Sequence, residues 1–585
     1  MSVYLGEKAE KNAHATQELP FKGEEDDDYV SWKPGRQELM ILGCLAIVSL
    51  VVALDGTVLV PVLPTIASEL HGDTNEAYWV GTAYLLSSAV FQPLFVALSN
   101  VLGRQIMLFT SIVLFTIGTL ICCLAEDMAV LLAGRTIQGV GGGGILCQTF
   151  VITTDIIPLR QRPAYSSIIQ VAFVVGTVTG PLIGGLLVDH STWRWVFYLN
   201  FPFMAVGLVM VPWVVRLQRP RNGSVAKQLK SIDWVGTLLF MGSVSSFLMG
   251  ITWGGGQFAW SSWRTLFPIC LGLVGVLAAI LWLRKVPKNP LLSLALFRNT
   301  SSRAMYICAV LQGLLVSVSL SQFWWSSSFP QRLAHSQELI LIVCVNQMFC
   351  ELYSLPLYLE GPKDMSLTLT GVSLMTITGS LMPVSLVVGI VITKSGHIRW
   401  ALWAGWVLIT SSTGLLILLD IDIKTYAWVL IFLSVGMGHG CVIVSSSMCV
   451  QALADAKDSA QAAAMYTFLR SFGMCLGVAV SSTVMQNRLR HHLQIYQLPL
   501  DIADNVEGFV ASLRNSKSSY TPAFIHSANT AYVQSLQNLF EVLVALAGVG
   551  LLATLFLKSV NMNKKLETQH GLQKKTNMDT EELIP

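Results

Sequence analysis

Runs of roughly 20 apolar residues, separated by short polar breaks, recur along most of the 585-residue chain, and each is long enough to cross a bilayer core as a helix. Helices are the form such runs must take, because strands would need the alternating pattern of a closed barrel, which is absent. Composition agrees, with 53% hydrophobic and 12% charged residues and a mean hydropathy of +0.60. The chain therefore reads as an all-α polytopic membrane protein.

Fourteen spans are predicted, near 39–64, 78–101, 105–125, 128–153, 164–188, 195–215, 234–254, 265–283, 303–316 continued by 348–360, 368–393, 398–419, 426–448, 463–485 and 538–557. Lys and Arg concentrate in alternate breaks: Arg104; Arg160 and Arg162; Arg216, Arg219, Arg221, Lys227 and Lys230; Arg284, Lys285 and Lys288; Lys394 and Arg399; and Lys457. Positive charge is retained on the cytosolic side, so both termini are expected there and the sequons at Asn222 and Asn299 are expected to stay unglycosylated. The expected divisions are an acidic, disordered cytosolic tail (1–37), a first bundle (38–217), two linking helices (218–298), a second bundle (299–560) with an external loop at 486–537, and a cytosolic tail (561–585). No apolar leader appears in the first 36 residues, which argues against a cleaved signal peptide.

One segment breaks the pattern. Residues 316–347 interrupt an apolar run with His335, Gln337 and Glu338, and deleting them joins "YICAVLQGLL" to "MFCELYSLPLYLE" as one span. The Val-Ser and Gln at its ends fit splice-donor and splice-acceptor codons, so the insertion reads either as a retained intron or as a loop particular to this chain.

The stretch "AGRTIQGVGGGGI" contains a G-x-G-x-x-G from Gly139 to Gly144, the spacing of a dinucleotide cradle. That motif needs a strand-to-helix turn, whereas here it lies inside an apolar span. Its glycines are expected to allow close helix contact or a bend. Arg135, in the same span, is the anomaly, since a guanidinium in the membrane costs at least about 2.5 kcal/mol and must find water, a carboxylate or a backbone acceptor. Asp55 in "VVALDGTVLVPVLP" is the matching anomaly in the first span. The two read either as a pair whose separation loads and releases a proton or as a static pair holding two helices together. The fifth span carries "GTVTGPLIGG", a small-residue stripe from Gly176 to Gly185 bent by Pro181, which suits either a rocking interface or simple packing.

With these residues in view, the chain resembles the fourteen-helix drug:proton antiporter family of the major facilitator superfamily, of the fungal efflux-pump type. The resemblance rests on "LDGTVLVPVLP" (54–64), "LAGRTIQGVGGGG" (132–144), "GTVTGPLIGG", "WRWVFYLNFPF" (193–203) and "DWVGTLLF" (233–240), and covers residues 37–560. It implies two six-helix bundles with two extra helices between them, a central cavity opening alternately to each side, and function as a monomer. It also implies proton coupling by Asp55 and Arg135, and assigns Gln138, Gly139, Gly176, Gly180, Pro181 and Gly184 to the transport motifs of the fourth and fifth helices. The family's loop between helices 2 and 3 carries an acidic residue where this chain has Asn100 in "VALSNVLGR", with Gly103 and Arg104 kept. The usual carboxylate latch is thus expected to be neutral.

In the second half, Glu351 and Glu541 lie in or near spans and are candidates to face the cavity or to sit at its edges. Trp79, Trp195, Trp253, Trp260 and Trp263 near span ends read as interface anchors, and His491 and His492 as part of the external loop. The 11 cysteines, among them Cys44, Cys122, Cys123 and Cys441, form no metal-binding pattern, and no nucleophile with a base or Walker loop appears. No enzyme activity, cofactor, metal or nucleic-acid partner is expected, and the net charge of +3 implies none. The expected function is proton-coupled export of an amphipathic small organic molecule, such as a secondary metabolite, toxin or drug, across the plasma membrane. The alternatives are a vacuolar basic amino-acid transporter of the same superfamily and a non-transporting membrane receptor or paralogue.

Overall fold

The computed structural model describes residues 32–572, apart from 60–61, 72–73, 219–224, 255–256, 286–293, 314–354, 356–357, 360–361, 364, 366, 505–520, 565, 567 and 569. The insertion at 316–347, Glu351, and most of both tails lie outside the described residues. The long helices are α1 (Arg36–Val58), α2 (Thr74–Leu102), α3 (Arg104–Cys123), α4 (Met128–Ile156), α5 (Arg162–His190), α6 (Asn200–Val214), α7 (Trp234–Trp253), α8 (Trp263–Lys285), α9 (Thr300–Gly313), α10 (Leu367–Ser395), α11 (Arg399–Leu416), α12 (Thr425–Leu453), α13 (Ser459–Ile495) and α14 (Pro522–Leu555). Among the described residues, 10 helices are long and apolar enough to cross a membrane; three of the remaining expected spans coincide with α5, α11 and α13, and α9 covers the first part of the ninth, whose continuation lies mostly outside the described residues.

Local chemistry sets the boundaries. Gly103 separates α2 from α3 with a φ of +97°, a conformation that favours glycine, so this family-motif residue makes the tight turn between them. Asp127 caps α4 by accepting from the Val130 amide at 2.7 Å, and Asp233 caps α7 by accepting from Gly236 at 2.8 Å. The expected external loop at 486–537 is corrected at both ends, because α13 continues to Ile495 and α14 begins at Pro522. An apolar window sees only the lipid-length part of a helix, and these two continue past it with Arg488, Arg490 and Asn538. His492 accordingly sits in α13, 3.2 Å from Asn538 of α14, and not in a loop.

Within the first half, α3 packs on α4, α2 on α4 and α1 on α5. In the second, α10 and α11 pack on α12, and α11 on α14. α7 and α8 pack together, and α8 exposes Phe267, Leu271, Val274 and Leu277, as a helix against lipid would. The halves meet where α13 crosses α2 and α4 and where α5 crosses α10. Val96, Cys147 and Val151 bury Ala464 between them, Phe150 meets Tyr466 edge-on at 6.4 Å, and Gln92 donates to Ser471 at 2.9 Å.

The contacts between halves gather towards one end of the bundle, the face that carries Arg104, Arg160 and Arg162. There Arg162 donates across to Gln451 at 3.1 Å and Ser459 at 2.6 Å, and the Ala164 amide donates to Thr393 at 3.2 Å. The chain after α14 runs over this same face. Lys564 donates to the carbonyls of Ala452 and Ala454 in the second half, both at 2.6 Å, while Arg160 of the first half donates to Asn563 at 2.8 Å. Thr568 then donates to Asp155 at 2.7 Å, and Leu572 forms a bridge with Leu217.

Candidate functional site

Asp55 and Arg135 are brought together by helices 1 and 4. The Arg135 Nη1 donates to Asp55 Oδ2 at 2.7 Å, and both residues are 0% exposed. Asp55 lies about 28 Å along α1 from its start at the basic face, and Arg135 about 10 Å into α4 from its opposite end. The pair therefore sits towards the face opposite the closed one.

Both oxygens of Asp55 and three of the five guanidinium N–H groups of Arg135 are occupied from within the first half. Asp55 Oδ1 accepts from Gln138 at 2.8 Å and from Asn200 of α6 at 2.7 Å. Arg135 donates to the Gln138 side-chain oxygen at 2.6 Å and to the Val80 carbonyl at 3.2 Å, and its guanidinium lies 4.3 Å from the Tyr84 ring centre. Gln138 completes the set by donating to Thr119 of α3 at 2.8 Å. Five helices thus converge on one carboxylate, and removing either charge would leave the other buried without its partner.

The glycines of α4 explain how the helices come so close. A Cβ at Gly139 would collide with Ser87 and the Tyr84 backbone of α2, one at Gly143 with the Ser88 carbonyl, and one at Gly141 with the Phe115 backbone of α3. The G-x-G-x-x-G is a packing seam inside a helix, and the dinucleotide reading is excluded by its setting. On α5, a Cβ at Gly176 would meet the Leu50 carbonyl and one at Gly180 would meet Thr57, so these two glycines hold α5 against the helix that carries Asp55. Pro181 and Gly184 lie in the same helix, with Gly184 buried.

At the basic face, the expectation of a neutral latch is corrected. Arg104 donates to Asn100 at 2.8 Å, but its Nε also donates to Asp155 at the end of α4 at 2.9 Å, both residues being buried. The acidic partner comes from another helix, which a motif read along one loop does not register. Glu541 is exposed on α14, 3.4 Å from Asn538, and does not face the other half. Trp195 and Trp263 are exposed near helix ends, and the four cysteines named above are buried thiols.

The Major Facilitator Superfamily model matches residues 45–236 and 232–478. The chain belongs to that superfamily and is an integral membrane protein of its transporter fold. It is 36% identical over 546 residues to "MFS transporter L2" of a Phoma species, covering 93% of this chain and 86% of that one. It is 30% identical to "Efflux pump FUS6" of Gibberella moniliformis, covering 93% and 92%, and 31% identical to the "Acurin A biosynthesis cluster MFS-type transporter" of Aspergillus aculeatus, covering 92% and 93%. The structure of the human organic anion transporter MFSD10 matches with a TM-score of 0.52 at 14% identity, over 88% of this chain and all of that one, and so shares the fold.

Several residues of the network lie outside the residues singled out from sequence. Asn200, Thr119 and Tyr84 are neutral and sit in apolar spans, and Asp155 sits at a span end where acids are common. Arg470 is different: it stands in the run "MYTFLRSFGMCLGV", and a charge in such a run is itself the sign to look for.

Proposed function

We propose that the chain is a proton-coupled antiporter that exports an amphipathic small organic molecule across the plasma membrane, with Asp55 taking and releasing the proton under control of Arg135. The observation that carries this reading is the sealed Asp55–Arg135 pair. The two charges lie 2.7 Å apart and are sealed from solvent, so a movement that parts α1 from α4 changes the surroundings of the carboxylate directly. A pair meant only to join α1 to α4 would be served as well by apolar packing. The α1–α5 seam at Gly176 and Gly180 supports the same reading, because it lets the helix bearing Asp55 shift against a neighbour that also contacts α10 of the other half. Relatives named as efflux pumps support the direction of transport.

With both termini placed in the cytosol, the closed basic face is the cytosolic gate and the described conformation faces outward. Monomeric function is part of the proposal. Proteoliposomes carrying the purified chain test it: addition of a transported amphipathic compound should drive counterflow of protons, and Arg135→Ala should abolish that counterflow while the protein remains folded. Substrate flux with no proton movement would sink the coupling.

A further inference from the structure

The molecule holds a second arginine deep in a helix, with very different company. Arg470 lies about 16 Å along α13 from the basic face, near the middle of the bundle. It is 8% exposed, and among the described residues it has neither an ion-pair nor a hydrogen-bond partner. Its one ring contact among the described residues is with Phe173 of α5 in the other half, at 5.8 Å, close to the limit of about 6 Å at which a ring attracts a cation. A guanidinium at this depth needs an anion or ordered acceptors, so its solitude points to a ligand.

Its surroundings are built for one. Ser471, the next residue, accepts from Gln92 at 2.9 Å, and the buried Gln92 side-chain oxygen has no partner among the described residues. On α5, Ser166, Gln170 and Phe173 recur at helical spacing on one face, the face that Phe173 turns towards α13, and the buried Ser166 hydroxyl also lacks a partner. The interface between the halves thus pairs a cation with an aromatic ring at 5.8 Å, and the same helices carry unsatisfied polar groups, Ser166 about 10 Å along α5 from Phe173 and Gln92 on α2 against Ser471.

We propose that Arg470 is a substrate anchor and that the exported molecule is an amphipathic organic acid, its anionic group held by this guanidinium and its apolar body lying against Phe173. This rests on the export reading above, but concerns what is bound and not how transport is powered. A cation here repels basic amino acids, which separates the proposal from a vacuolar amino-acid role.

The test uses the full-length protein purified in detergent, with pyrenebutyrate and its methyl ester as matched fluorescent probes. The acid is expected to bind more tightly than the ester. Arg470→Gln should weaken acid binding about tenfold or more, towards the level of the ester, and leave ester binding unchanged, whereas Arg470→Lys should retain most of the preference. Equal loss for acid and ester would make Arg470 a structural residue and overturn the proposal, as would an acid affinity that Arg470→Gln does not change or a native protein that does not bind the acid. Proton counterflow in proteoliposomes is read separately. Charge-selective binding without counterflow would fail the antiport reading alone, and counterflow with uncharged compounds, unaffected by Arg470→Gln, would fail the anchor alone.

Discussion

Two buried arginine–aspartate pairs stand at opposite ends of the first half, and their surroundings differ. Asp55–Arg135 is enclosed by α1, α2, α3, α4 and α6, with its donors and acceptors drawn from that half. Arg104–Asp155 has a similar distance and similar burial, yet its carboxylate also accepts from Thr568, on the C-terminal segment that reaches both halves. The first pair is insulated from the face where the halves meet, as the proposed proton site would be. The second is tied to segments that hold the two halves together, which the proposed gate would have to part. Similar ion-pair chemistry thus supports different roles according to whether the remaining lone pairs are satisfied within one rigid unit or across a movable boundary.

The sharpest way to break this comparison is at the insulated pair. Arg135→Ala should reduce proton-coupled flux at least about a hundredfold and destabilise the protein by about 3–5 kcal/mol, because it strands a buried carboxylate. Asp55→Asn combined with Arg135→Gln should recover much of the thermal stability without recovering coupling. Recovery of both would reduce the pair to a structural strut.

Asp155→Asn tests the tied pair. It should cost about 2–4 kcal/mol by leaving Arg104 without its carboxylate, and should loosen the C-terminal segment while proton coupling per substrate stays intact. Thermal unfolding and protease sensitivity near residue 568 measure the two effects. A loss of coupling without loosening would erase the distinction between the pairs.

Gly180→Val probes the seam on which the proposed movement of α1 depends. A branched side chain there meets Thr57 and the Val58 amide, so a loss of about 1–3 kcal/mol is expected together with a large fall in turnover. Turnover near the native level would show that α1 and α5 do not need this close approach.

The smallest effect concerns pH at the closed face. His570 is buried beside Arg104, with its Nδ1 directed at the Gln218 carbonyl at 3.3 Å; burial first, then the Arg104 charge, push its pKa down to about 4, against the opposing pull of Asp155 and the Gln218 carbonyl. The docked segment therefore holds a neutral imidazole. Docking should be at full strength above the ordinary histidine pKa of about 6.5 and weaken as pH falls from there towards 4, by up to about tenfold per unit. Hydrogen exchange at Gln218 and Leu217, compared at neutral and mildly acid pH in the native protein and in His570→Gln, should show the loss in the native protein alone.

Much of the fold was legible because lipid imposes one rule on every span. Asp55, Arg135 and the glycine seams were legible for the same reason, since a charge or a run of glycines is conspicuous against an apolar background. Asn200 and Thr119 were not, because neutral polar side chains are common in helices and only the convergence of helices gives them a shared target. Asp155 was missed because the motif was read along one loop while the partner of Arg104 arrives from the end of α4. The extent of α13 and α14 was missed because hydropathy marks the stretch that meets lipid and not the stretch that is helical.

The central claim is that Asp55 exchanges a proton when it separates from Arg135. Infrared difference spectroscopy on the reconstituted protein reads this directly as the carboxylic-acid carbonyl band of a protonated aspartate. The band is expected to appear on acidification, to shift in onset when a transported substrate is added, and to vanish in Asp55→Asn. A spectrum with no such band from Asp55 under conditions where substrate and protons are exchanged would contradict the account.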